Sequence, residues 1–202
     1  QAANPYVRTL EILNGPGTSP KPVGKADARN EEDYFFYLNE GFKIAPSADQ
    51  DNHYAHWGSL HTGRTGVLAR ELTPDGIYEA IRARRVFASE DTNLELVMTA
   101  NGRYMGEVIP YTPEVVIDIS LSDPDEPAAS YLVQVFADQP GKEFPKPIAQ
   151  QQLPAGRNQL KISWKPAAAG ESYAFVKVSQ LNAEGSQDDA WIVFGQGYNK
   201  VQ

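Results

Sequence analysis

The sequence predicts an α/β unit followed by an all-β antiparallel sandwich, on three observations. Up to residue 92, extended apolar runs alternate with helical ones. Beyond residue 93 the helical periodicity stops. In its place come six short runs of alternating apolar and polar residues, separated by turns rich in Gly, Pro and Asp, the pattern that sandwich strands leave in a sequence. The expected division is therefore 1–92 for the α/β part and 93–202 for the sandwich.

In the first part, Val7 to Asn14 is extended and apolar and stops at Asn14-Gly15-Pro16-Gly17, residues suited to a turn. Asn30 to Asn39 carries Tyr34, Phe35, Tyr37 and Leu38 at helical spacing. A short strand is expected at Lys43 to Ser47, then a long loop through Trp57 and Arg64. A second helix begins after Thr73, whose hydroxyl is placed to cap it, with Pro74 in the first turn and Ile77, Ala80 and Ile81 on one face. The expected sandwich strands are Leu94 to Met98, Val115 to Leu121, Tyr131 to Phe136, Gln159 to Trp164, Ser172 to Val178 and Ala190 to Phe194. Trp164, Trp191 and Phe194 lie on these strands and are expected in the core rather than on a sugar-stacking surface.

Two strands before residue 50 are too few to cover both faces of a parallel sheet. The first part is expected to be the tail of a larger structure, with apolar edges that an upstream segment or another copy of the chain covers. The sandwich is expected to stand alone and to resist limited proteolysis.

Composition narrows the function. The 202 residues, 41% hydrophobic and 22% charged, suffice for a sizeable core. A net charge of -8 without Lys/Arg clusters argues against a nucleic-acid or anionic-membrane surface, which needs a basic stripe. With no cysteine, disulfides, thiolate metal sites and cysteine nucleophiles are excluded. No apolar run approaches the roughly 20 residues of a membrane span, and Gln1-Ala2-Ala3-Asn4-Pro5 does not resemble a leader. A periplasmic or secreted location is preferred to a cytoplasmic one.

The clearest chemistry lies in Gly41 to His53, where a short strand runs out into Asp51-Asn52-His53. Two residues apart on an extended chain, carboxylate and imidazole would point the same way. Such a pair suits zinc, manganese or iron. A catalytic metal takes at least three protein groups, so further ligands are required. The plainer alternative is a turn in which Asp51 caps backbone donors and His53 packs against Tyr54 or Trp57. His56 is expected to be an ordinary loop histidine. Arg82, Arg84 and Arg85 are expected to form a solvated helix face with one stem packed on the sheet.

Three segments together carry a family resemblance. These are Gln50-Asp51-Asn52-His53-Tyr54-Ala55-His56-Trp57-Gly58 with Arg64-Thr65-Gly66-Val67, the run Ala80 to Ala88 taken as helix, and Asn93-Leu94 through Asn101-Gly102-Arg103-Tyr104-Met105-Gly106. Residues 7 to 106 resemble the C-terminal part of the polymerase and histidinol phosphatase (PHP) superfamily, in its carbaryl-hydrolase-like branch with a β-rich C-terminal region. The resemblance implies a distorted (β/α)7 barrel holding two or three metals at the C-terminal ends of its strands. It implies that Asp51 and His53 are the last metal-ligand pair, and that Glu11 to Gly15 is an earlier wall strand with Asn14 near the pocket rim. On the following loop, Arg64 and His61 would meet the substrate.

The departure is that His53, His56 and His61 are the only histidines, so the family's opening His-x-His pair is absent. The resemblance therefore implies a C-terminal fragment of a metal-dependent hydrolase, inactive by itself. Its accessory β-sandwich would be Ig-like, and the complete protein would act on a small ester or amide. The alternative function is a non-catalytic binding or interaction module that uses the sandwich aromatics.

Overall fold

The structure, a computed structural model, describes residues 5–26, 28–137, 145–166, 173–182 and 185–194, with residues 28, 182 and 185–194 followed by backbone alone. Four elements open the fold: β1 (Thr9–Asn14), β2 (Ala28–Arg29), α1 (Glu31–Asn39) and β3 (Ala45–Ala48). β1 and β3 pair in parallel with α1 as the crossover, and β2 adds an antiparallel pair at Leu13 and Asn14. The expected strand, helix and strand are all present.

Next come β4 (Arg64–Val67), α2 (Pro74–Arg82) and β5 (Val86–Ser89). Thr73 caps α2 as expected, its hydroxyl accepting the Gly76 N–H at 3.1 Å. The helix expected through Ala88 is corrected: α2 ends at Arg82, Arg84 takes a left-handed φ of 60°, and Val86–Ser89 is a fully buried strand. Four apolar or small residues buried on both faces show no alternation, so periodicity cannot tell such a strand from a helix end. The arginines do not form one solvated face either. Arg84 donates twice to the Gly106 carbonyl, and Arg85 donates to the Leu68 carbonyl and pairs with Glu79.

The remaining strands are β6 (Glu95–Ala100), β7 (Arg103–Tyr104), β8 (Val115–Ser122), β9 (Ser130–Ala137), β10 (Ala149–Leu153), β11 (Gln159–Trp164), β12 (Ala174–Asn182) and β13 (Gly185–Phe194). They form two antiparallel sheets, one ordered β10-β9-β12-β13-β5-β4 and the other β11-β8-β6-β7. The six-stranded sheet thus crosses the 92/93 division, because β13 pairs with β5 and β5 with β4. Among the described residues the chain is β-rich and no barrel closes.

The six-stranded sheet is covered on both faces. Inward side chains of β9 and β12, Val133, Val135, Ala174, Val176 and Val178, meet Ile117, Ile119, Leu121, Leu96 and Met98 of the four-stranded sheet. Trp164 belongs to this core, as expected, while the side chains of Trp191 and Phe194 lie outside the described residues. On the opposite face, Phe136 and Phe175 meet Tyr34, Phe35 and Leu38 of α1. Phe35 lies 4.9 Å from Phe175 between ring centroids, and Phe136 stacks on Phe175 at 5.1 Å.

Polar bonds fasten this second contact. Lys177 pairs with Glu31 at 2.8 Å, and the Tyr173 hydroxyl donates to Asn39 at 2.5 Å. Arg29 on β2 grips the buried Glu90 just past β5 through both carboxylate oxygens. The first part exposes Tyr6, Phe36, Trp57, Leu72 and Tyr78.

Candidate functional site

The carboxyl ends of the parallel strands β1 and β3 carry the groups of the first site. β3 ends at Ala48, and Asp49, Asp51 and His53 follow in the loop. The geometry differs from an extended Asp-x-His: Asp51 has a left-handed φ of 45°, so a turn replaces strand alternation. The turn still brings the pair together, with His53 Nε2 3.4 Å from Asp51 Oδ1 and both side chains more than half exposed.

The loop after β1 supports that turn. The His53 N–H donates to the Gly17 carbonyl at 2.9 Å, and a Cβ at Gly17 would run into the Asp51 carbonyl. On β1, Glu11 accepts from the Asn14 amide at 3.0 Å, while the Ser47 hydroxyl donates to Asp49 at 2.9 Å. Partial burial, followed by the charges of Asp49 and Asp51, raises the Glu11 carboxyl above its ordinary value, against the Asn14 hydrogen bond. The corner therefore concentrates negative charge next to one imidazole, an arrangement that a cation relieves.

The other expected residues are placed in the loop's own scaffold. His61 is buried, with Nδ1 accepting the Gly63 N–H at 2.9 Å. Arg64 donates to the carbonyls of His61, Gly63 and Gly58, at 2.8, 2.8 and 3.0 Å. Three backbone acceptors fix that guanidinium across the 58–63 loop. His56 bridges Asn52 and Ser19, both at 2.9 Å. Asn52 donates to its Nδ1, which leaves Nε2 as the protonated nitrogen facing the Ser19 carbonyl.

No protein-family model matches the chain, and no curated protein matches it. Among solved structures, the PmoD soluble domain from Methylocystis sp. is similar at 12% identity, over 50% of this chain and 88% of that one, with a TM-score of 0.33. A likeness that low carries no argument about fold or chemistry.

A second cluster lies elsewhere, where chain crosses between the two sandwich sheets. Asp91 lies between β5 and β6, and Asp123 and Glu126 lie between β8 and β9. One carboxylate oxygen from each falls within 4.8 Å of the others. Asp91 accepts the N–H groups of Asn93 and Leu94 at 2.7 and 2.8 Å. The Tyr131 hydroxyl donates to Asp123 at 2.5 Å. A hydrogen bond with Asp123 is the first cause that pushes Glu126 up to about 7, followed by desolvation and the charges of Asp123, Asp91 and Asp125. Sequence reasoning did not single out these residues; Ser122-Asp123-Pro124-Asp125-Glu126-Pro127 falls among the turns rich in Gly, Pro and Asp. The usable signal was five acidic residues, Glu90, Asp91, Asp123, Asp125 and Glu126, in two loops at one end of a sandwich, but their proximity depends on strand order.

Proposed function

We propose that the chain is the C-terminal part of a metal-dependent hydrolase of the PHP phosphoesterase type, with Asp51 and His53 as two ligands of a zinc, manganese or iron ion. One observation carries this reading: two unlike donor groups meet 3.4 Å apart and face solvent, just past the carboxyl ends of a parallel strand pair. Ligands of parallel α/β sheets bind at that end. Imidazole nitrogen with carboxylate oxygen fits these borderline ions.

In this reading β1, α1 and β3 are the remnant of a (β/α)7 barrel, and the Ig-like sandwich is its accessory domain. The remaining ligands come from an upstream barrel segment or from another copy of the chain. When bound, the ion would acidify water and polarise the phosphoryl or carbonyl oxygen of a small ester or amide. Asp51 and His53 hold and orient it, with Glu11 and Asp49 supplying negative charge nearby.

The test is metal content and zinc or manganese titration of the full-length protein, with p-nitrophenyl phosphate and acetate as hydrolysis probes. Asp51→Ala and His53→Ala are each expected to lose stoichiometric metal and hydrolysis together. Undiminished metal in both variants would sink the reading.

A further inference from the structure

The acidic corner at the end of the sandwich has a partner that the carboxylates do not explain. Gln180 is 6% exposed, and its Oε1 is buried without a hydrogen-bond partner. Such orphaned acceptors are few in folded proteins and call for a physical account. On β12, Gln180 lies directly opposite Tyr131 of β9. Cross-strand partners project from the same face of a sheet, and the Tyr131 hydroxyl ends on Asp123.

The strand periodicity aims all three inward at the same end. Val176 and Val178 lead to Gln180, Val135 and Val133 lead back to Tyr131, and Ile117, Ile119 and Leu121 lead to Asp123. The buried Gln180 side chain therefore projects from the same inward face as Tyr131, at the end of the sheet that carries the corner. Asn93, two residues past Asp91, has a second buried and unpartnered amide oxygen.

The corner is open to solvent from two sides. Asp91 and Asn93 line a groove of about 700 Å³, and Asp123 and Glu126 line a smaller cavity of about 260 Å³. Every donor is a hard oxygen, from three carboxylates and amide carbonyls, with no imidazole. Oxygens about 2.4 Å from one calcium ion lie at most about 4.8 Å from each other, and the carboxylates meet that limit.

We propose that Asp91, Asp123 and Glu126, with the Gln180 amide oxygen beneath them, form a calcium site that ties the two inter-sheet crossovers together. The site is separate in residues and in donor chemistry from the Asp51–His53 pair. Calcium is preferred to magnesium because loop carboxylates and a fixed amide offer many oxygens in an irregular shell, while magnesium demands a tight octahedron and keeps its waters.

The experiment uses terbium as a luminescent stand-in for calcium, since Tyr131 touches a ligand and can sensitise its emission. The full chain is expected to show tyrosine-excited terbium emission that calcium displaces and magnesium displaces about tenfold less well. Glu126→Gln alters an exposed side chain, and Gln180→Leu keeps the core filled. Each is expected to weaken calcium about tenfold or more, with circular dichroism confirming the fold, while Asp51→Ala leaves it unchanged. The proposal is overturned if calcium displaces no emission, if Glu126→Gln binds as the parent does, or if Gln180→Leu folds and retains full affinity.

Discussion

Single residues decide how both acidic corners behave. Glu126 is protonated more readily in the fold than in the unfolded chain, since its value rises from 4.5 to about 7. Between those values the native state binds more protons, so stability falls as pH rises through the window and levels off above about 7. Melting temperature in chelator is expected to drop from pH 5 to pH 8, and Glu126→Gln is expected to flatten that part of the slope. Added salt shrinks the effect, because the group is mostly exposed. At the other corner, Gly17→Ala is expected to displace the Asp51–His53 turn and to weaken zinc or manganese about tenfold or more without removing a ligand, as measured by calorimetric titration. Asp51 and His53 were legible as a pair from residue type and spacing. Their actual approach was not, because it depends on a left-handed Asp51 and on the Gly17 backbone behind it.

At the scale of elements, the strands that sequence reveals are those with one buried face. β8 alternates strictly along Val115, Ile117, Ile119 and Leu121, and β11 along Leu160, Ile162 and Trp164, so each announces its period. β5 is buried on both faces and β10 is mostly polar, so neither shows a period of two. α1 was legible from Tyr34, Phe35 and Leu38, but its docking partner was not, since Phe136 and Phe175 lie about a hundred residues or more further on. Those rings form one cluster with α1, and opening it leaves a large cavity. Phe175→Ala is expected to cost about 3–5 kcal/mol, read from urea unfolding with an unchanged m-value.

For the molecule as a whole, the strand order joins what composition divides. The change of periodicity at residue 93 is real in the chain, yet β4 and β5 complete a sheet whose other strands follow residue 130. Which strand neighbours which is a non-local choice, and it leaves no local trace in residue type. The two cores share the six-stranded sheet, so heat and denaturant are expected to unfold them in one transition, seen as coincident circular dichroism and tryptophan fluorescence curves.

Besides the aromatic cluster and the ion pairs, one oxygen atom links the parallel unit to that sheet at β3. Thr65 on β4 accepts the Ala48 N–H at 2.8 Å and donates back to the Ala48 carbonyl at 2.9 Å, so a hydroxyl imitates the neighbouring strand that β3 lacks there. Valine has the same outline and neither polar function. Thr65→Val would fill the space while stranding two main-chain groups of a buried alanine, at a cost of about 1–3 kcal/mol. Serine would restore both bonds. A loss with valine that serine reverses would identify this hydroxyl as a clasp between the Asp51–His53 corner and the body that carries it.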